Sequence, residues 1–294
     1  MANTKYQPKV SIVTPSYNQA AFIERTVLSV LCQDYANVEY IVVDGASTDG
    51  TEEILRKYSS HLEHLIIEPD EGQTDALNKG FKLATGEIVA YINSDDCYAN
   101  AKVVSDAVKA FQDHSSIDVV YGKRYFINEN GVFINAMPYR SFDKDLLYLN
   151  DYIPQECVFW RQSLFEKAGA FVNSSFDFAM DYELWLRFLE HDAQFLSIDE
   201  VFGLFRWYDG QKSQDAWRTK GLPEIERLHR QYAGRYIEEL EMMDYYQQHY
   251  FLAHPKQAPE LYAFCYHLWE NQLTYRRRLL RHPIDQWATE LSSK

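Results

Sequence analysis

The sequence predicts an α/β fold, a doubly wound, mixed and mostly parallel sheet with a C-terminal helical appendage. Three observations carry this. Apolar strand-like runs alternate with amphipathic helical stretches from Lys9 to Ile92, a rhythm that right-handed crossovers wind into a parallel sheet. One run, Val38 to Val43 (VEYIVV), is nearly continuous in apolar residues, as suits a strand covered on both faces. From Leu222 onward the text turns long, helical and rich in Tyr, Glu and Leu, so a division at 221/222 is expected.

In order, Lys9 to Thr14 (KVSIVT) reads as the first strand, with Pro15 stopping its ladder. Phe22, Ile23, Val27, Val30 and Leu31 form one side of the following helix. The strand Val38 to Val43 ends in Asp44-Gly45-Ala46-Ser47-Thr48-Asp49-Gly50, and Asp49 with Glu52 forms a capping pair for a helix over Thr51 to Tyr58. Leu65-Ile66-Ile67 is the next strand. A short helix follows with Leu77, Phe81 and Ala84 on one face, then a Gly86 stop and a strand from Glu87 to Ile92. No G-x-G-x-x-G follows the first strand, which excludes a dinucleotide-binding domain.

The strand Glu87 to Ile92 runs into Asn93-Ser94-Asp95-Asp96. Adjacent carboxylates at the tip of a buried strand are costly to desolvate unless a cation sits there. Open α/β sheets bind ligands outside the carboxyl ends of their strands. Hard oxygen donors of this kind suit Mg²⁺ or Mn²⁺, completed by substrate phosphates. The plainer alternative is that Asp95 and Asp96 cap the next helix.

Val103, Val104, Ala107, Val108 and Phe111 mark that helix, and Asp118 to Ala136 reads as a hairpin closed at Asn130-Gly131. Strict βα alternation ends here, so the second half is expected to be a mixed sheet. Pro154 to Trp160 reads as a strand. Ser163 to Gly169 is a helix with a Ser163–Glu166 capping box and a glycine stop. Asp181 opens a helix that packs through Leu184, Trp185, Phe188 and Leu189. Gln194 to Tyr208 is a final strand-pair region, followed by Asp209-Gly210-Gln211-Lys212-Ser213. The appendage is split near Pro255 and Pro283. Its Arg276-Arg277-Arg278 with Arg281 reads as a solvated helix face or as a contact to anionic lipid. Its many aromatics, Tyr245, Tyr250 and Trp269 among them, suit a core or a subunit interface.

At 294 residues, 46% hydrophobic and 24% charged, the chain is globular. A net charge of −14 excludes a nucleic-acid partner. No apolar run approaches the ~18 residues of a membrane span, and MANTKYQPKV lacks a signal-peptide core, so a cytoplasmic protein is expected. Cys32, Cys97, Cys157 and Cys265 are scattered without zinc or redox spacing.

Gly72-Gln73-Thr74-Asp75-Ala76-Leu77-Asn78-Lys79-Gly80, Ala84-Thr85-Gly86-Glu87 and the acidic motif after them resemble the family 2 glycosyltransferases of the GT-A fold, of the bacterial cell-surface polysaccharide type. The resemblance spans roughly Val10 to Ser213. It implies a nucleotide-binding half over about 9–100 and an acceptor half over about 101–221. Thr14-Pro15-Ser16-Tyr17-Asn18 is then the loop under the base, and Asp44 accepts from a base ring N–H, a match for uracil. A simple turn carboxylate before Gly45 is the other reading of Asp44. Gln73, Asn78 and Asp95 join the nucleotide contacts, and Asp96 with Asp95 anchors Mn²⁺ or Mg²⁺ on the diphosphate.

By the same resemblance Asp181 is the carboxylate that deprotonates the acceptor hydroxyl, although an N-cap role competes for it and would weaken it as a base. Relatives often carry an acidic residue just before this one; here it is Met180. Arg206 and Lys212 supply positive charge near the diphosphate, but Trp207-Tyr208 departs from the histidine-bearing loop of relatives. Processive synthases carry Q-x-x-R-W here. Arg206-Trp207 fits, Gly203 replaces the glutamine, and no membrane span is evident, so processivity is not expected. The implied function is inverting, metal-dependent transfer of a sugar from a nucleoside diphosphate sugar, UDP-linked, to a glycan or lipid-linked saccharide. Peripheral membrane contact through the C-terminal region is compatible with it. Two rivals remain: a non-catalytic sugar-nucleotide or glycan-binding module, and a sugar nucleotidyltransferase. The latter should show a Gly-rich, arginine-containing loop that Pro15-Ser16-Tyr17-Asn18 is not.

Overall fold

The computed structural model describes residues 6–137 and 139–238, with 241, 242, 245 and 249. The chain divides into two compact units, Met1–Glu238 and Glu239–Lys294. The Arg276–Arg281 cluster, most of the C-terminal aromatics and the proline breaks lie outside the described residues.

The first unit runs β1 (Val10–Ser16), α1 (Ile23–Leu31), β2 (Val38–Asp44), α2 (Thr51–Lys57), β3 (His64–Ile67), α3 (Gln73–Phe81), β4 (Ile88–Tyr91) and β5 (Cys97–Tyr98). It continues with α4 (Val103–Asp113), β6 (Val119–Ile127), β7 (Phe133–Ala136), α5 (Lys144–Leu149), β8 (Val158–Arg161) and α6 (Gln162–Lys167). α7 (Met180–Glu190), β9 (Phe195–Arg206), α8 (Lys212–Asp215) and α9 (Leu222–Tyr232) complete it. The described strands join in one sheet of order β3-β2-β1-β4-β8-β6-β9-β5, with β7 on the side of β6.

β1 to β4 are mutually parallel, which aligns the carboxyl ends of β1, β2 and β4 on one edge of the sheet. β8 inserts antiparallel between β4 and β6, so the second half is mixed, as expected. Val10, Ile12, Val42, Ile88 and Ala90 are fully or almost fully buried, which is why these strands read as continuous apolar text. On the opposite face an aromatic cluster surrounds Trp160, with Phe81, Phe165 and Trp185 rings 5.7–5.9 Å from it.

Several local expectations need correction. Pro15 does not stop β1: it pairs with Val43 of β2, and the strand continues to Ser16. The pairing of β1 with β4 ends at Val13, so that flank has no ladder for Pro15 to interrupt. Asp49 accepts from the Thr51 N–H, while Glu52 turns to Arg56, so there is no reciprocal capping box. The Ser163–Glu166 box is also absent, because the helix begins a residue earlier, at Gln162. Gln155–Cys157 is a 3-10 turn ahead of β8. The last strand-pair region is one long strand, β9, parallel to β6 with register shifts near Lys123.

The helix α9 falls in the stretch that composition assigns to the appendage, yet it belongs to the first unit. Glu224 of α9 accepts from the N–H groups of Asp177, Phe178 and Ala179, holding the segment that leads into α7.

Candidate active site

At the tips of β1 and β2 two loops are laced together. The Asn18 N–H donates to Ser47 Oγ, the Thr48 N–H to Asn18 Oδ1, and the Gln19 N–H to Thr51 Oγ1. Asp44 is fully buried; its carboxylate accepts from the Ser47 N–H at 2.8 Å and from the Ser47 hydroxyl at 2.7 Å. A carboxylate has about four acceptor positions, so this Asx turn fixes its direction and leaves capacity for a ligand N–H. Ser16 Oγ is buried without a hydrogen-bond partner, and Tyr17 stands 60% exposed at the mouth. The loop thus carries an unsatisfied polar atom and an aromatic face where a planar base could stack.

The acidic turn after β4 is clamped from three sides. Thr26 of α1 donates to the Ser94 and Asp96 carbonyls. Gln73 donates to Asn93 Oδ1, Asn93 donates to Gln155, and Gln155 donates to the Tyr91 carbonyl. The Arg206 N–H donates to Asp96 Oδ1 at 2.9 Å, and the Tyr208 hydroxyl donates to Asp95 Oδ2 at 2.9 Å. Burial pushes both carboxyls above the ordinary carboxylate range; for Asp96 the charges of Asp95 and Glu156 add to it. Two like-charged, desolvated carboxylates held side by side are stabilised by a divalent cation more than by any neutral contact. Among the described residues no cluster of three or more metal-ligating side chains occurs, so a cation here would complete its shell with phosphate and water.

Asp181 lies in the first turn of α7, where its Oδ1 accepts only from the adjacent Tyr182 N–H. The residue at the N-cap position of α7 is Ala179, so Asp181 stands inside the helix and not at its N-cap. Burial raises its carboxyl above the usual range, opposed by the Tyr182 N–H and by the charges of Arg124 and Lys212. That shift favours a base working near neutral pH. Beneath these groups lies a buried ion pair that sequence reasoning missed. Arg124 of β6 forks onto Glu156, with Nε at 2.6 Å from Oε1, and its guanidinium lies 4.3 Å from the Phe205 ring centre. The partners are 32 positions apart with no local signal joining them. Their charges reach Asp96, and that of Arg124 reaches Asp181 as well.

Not every predicted contact lines this space. Asn78 donates to the Val172 carbonyl and accepts from the Val172 N–H, so it clamps a loop and is not a nucleotide contact. Thr14 is buried and paired with the Tyr40 hydroxyl, so only its backbone can serve the base loop. Arg206 is almost fully buried: Nε donates to the Asp95 carbonyl and one terminal nitrogen donates to the carbonyls of Asn128 and Glu129. It braces the acidic turn from below and does not close over a diphosphate. Lys212 is bonded to Gln73 Oε1 and to the Asp177 carboxylate. Tyr208, standing where relatives carry a histidine, was missed as a site residue; its position two beyond Arg206 was the available hint.

A mixed, mostly parallel sheet flanked by helices in this order is the GT-A glycosyltransferase fold. Residues 11–169 match the family described as glycosyl transferase family 2, and the chain belongs to that family. It is 30% identical over 238 residues to the glycosyltransferase TuaG of Bacillus subtilis, named for teichuronic acid biosynthesis, covering 77% of this chain and 92% of that one. It is 30% identical over 192 residues to a PGL/p-HBAD biosynthesis glycosyltransferase of Mycobacterium tuberculosis, covering 63% of this chain and 72% of the other. Among solved structures it resembles S. aureus TarS in complex with UDP-GlcNAc, with a TM-score of 0.64 at 21% identity over 86% of this chain and 78% of that one. It also resembles the mannosyltransferase PcManGT of Pyrobaculum calidifontis with GDP-Man and Mn²⁺, with a TM-score of 0.61 at 19% identity over 98% and 85%. The enzyme is therefore a glycosyltransferase, and among its described residues no helix is long and apolar enough to cross a membrane.

Proposed function

We propose that the enzyme transfers a sugar from a UDP-sugar to an acceptor hydroxyl with inversion, in the making of a bacterial surface polysaccharide or glycoconjugate. The observation that carries the reading is the Asp95–Asp96 pair, desolvated at a strand tip on the same sheet edge as Asp44. Support for the setting comes from TuaG and its named role, and support for a uridine donor from the TarS complex. PcManGT, with GDP-Man and Mn²⁺, supports a divalent cation and leaves guanine as the competing base.

Asp44 receives a base ring N–H while Tyr17 covers the base. Asp95 and Asp96 each commit one oxygen to the protein, and the pair would hold Mn²⁺ or Mg²⁺. When bound, that ion supplies Lewis-acid stabilisation of the charge on the departing diphosphate. Lys212, bonded to Gln73 and Asp177, adds positive charge. Asp181 takes the proton from the attacking hydroxyl, and its raised proton affinity suits that step.

Release of UDP from a panel of UDP-sugars with Mn²⁺ tests the reading. Slow release that requires the cation and disappears in Asp181→Asn is expected. Release from GDP-sugars alone would replace the donor assignment, and none from any nucleotide sugar would favour a binding module.

A further inference from the structure

Asp151 lies in the loop between α5 and the 3-10 turn, in a stretch where the sequence offers no motif. Its Oδ1 is buried without a hydrogen-bond partner. The loop is not loose. Tyr152 and Ile153 beside it are buried, and the Tyr152 hydroxyl bonds both to the Asp143 N–H and to its carbonyl. The Tyr182 hydroxyl donates to the Leu147 carbonyl at 2.7 Å, tying the end of α5 to the turn of α7 that carries Asp181. Asp151 and Asp181 consequently lie within reach of each other's charge. The cation that also reaches Asp151 is Arg124, already forked onto Glu156.

Buried carboxylates are normally satisfied, and one that is not must be held by its surroundings against a desolvation penalty. Such penalties persist where a ligand relieves them. Two neighbouring carboxyls call for a ligand offering several hydroxyls close together, since a hydroxyl can donate to a carboxylate or accept from a protonated carboxyl. Adjacent hydroxyls of a sugar ring meet that need, one bonding to each carboxyl.

We propose that Asp151 is an acceptor-binding residue, which with Asp181 forms a two-carboxylate site for neighbouring hydroxyls of a polyhydroxylated acceptor. The inference rests on the reading of Asp181 as the acceptor-side base. Burial, and then the Asp181 charge, hold the Asp151 carboxyl well above its ordinary range, consistent with a group awaiting a donor. Asp151 also supplies a second carboxylate where Met180 leaves the position before Asp181 without one.

The test compares full-length wild type, Asp151→Asn, Asp151→Ala and Asp181→Asn. Asp151→Asn removes the ionisable carboxyl with little change of shape, so it should melt at or above the wild-type temperature and bind UDP with Mn²⁺ equally well. UDP release onto water is measured in parallel, so that a change in turnover without acceptor is separated from a change in acceptor half-saturation. With methyl glycosides and glycerol as acceptor probes, the half-saturating probe concentration should rise about tenfold to a hundredfold, the effect of losing a hydrogen bond to a charged group. Asp151→Ala should show the same rise. A lower melting temperature for Asp151→Asn, an unchanged half-saturation, or no stimulation of the wild type by any polyol would each overturn the proposal. If Asp181→Asn keeps full turnover, the base assignment fails separately, and the half-saturation shift of Asp151→Asn still decides the second carboxylate.

Discussion

The backbone N–H of Arg206 donates to Asp96 Oδ1 while the Arg206 side chain donates to the carbonyl of Asp95, so one residue at the end of β9 grips both members of the acidic pair. Its role is to set the turn, not to meet phosphate. Arg206→Lys should lose the forked contacts to the Asn128 and Glu129 carbonyls and lower stability by about 1–3 kcal/mol. Thermal melting checks this. Affinity for UDP in the absence of metal should not change, and a large drop there would restore the direct phosphate role.

Gly203 explains why this chain departs from the processive synthase pattern. A Cβ at Gly203 would lie 2.4 Å from Glu156 Cγ and 2.6 Å from Cys157 Sγ, so the buried Glu156 occupies the space that a larger side chain would need. Gly203→Ala should destabilise the enzyme by about 1–3 kcal/mol through overpacking. A denaturant titration with unchanged slope and lower midpoint is the expected result.

Asp181 carries a pH dependence of definite sign. A base must be deprotonated, and the Asp181 carboxyl is raised above its ordinary range, first by burial. Activity should therefore fall as pH drops through a value above the usual ~4 of an aspartate. In Asp181→Asn that acid limb should vanish with a loss of about 10²–10⁴-fold in turnover. Initial rates across pH, with UDP affinity measured in parallel, separate this from a binding defect.

Asp95 and Asp96 set the pH dependence of stability. Their carboxyls are raised by burial, so the metal-free folded state holds protons more tightly than the unfolded chain. The contribution of this pair to metal-free stability is fully present below the ordinary carboxylate range and is lost as pH rises through the raised values. Cation binding displaces those protons. The increase in melting temperature on adding UDP with Mn²⁺ should be larger at mildly alkaline than at mildly acidic pH, and Asp96→Ala should abolish the difference.

Much of this was legible because the signals are local. The buried strand Val38–Asp44, the acidic pair after β4 and the aspartate opening α7 each announce themselves within a few residues. What stayed hidden depends on partners far apart in sequence. Nothing in the sequence joins Arg124 to Glu156 until β6 and the 3-10 turn bring them together. Asn78 sat inside a recognisable block, yet its amide is claimed by Val172, 94 positions away. Arg206 looked like a phosphate ligand because charge type is visible in a sequence and burial is not. Pro15 was misjudged because edge position, which decides whether proline interrupts a ladder, depends on where β4 ends.

The central claim is that a divalent cation held by Asp95 and Asp96 binds the diphosphate of a uridine donor whose base lies against Asp44. A crystal soaked with UDP and Mn²⁺ tests it directly through the anomalous signal of the metal. The expected peak lies at bonding distance, about 2–2.3 Å, from an Asp95 or Asp96 oxygen and bridges both phosphates, with the uracil ring N–H on Asp44. Metal at any other carboxylates, or uracil away from the β1 and β2 loops, would contradict it.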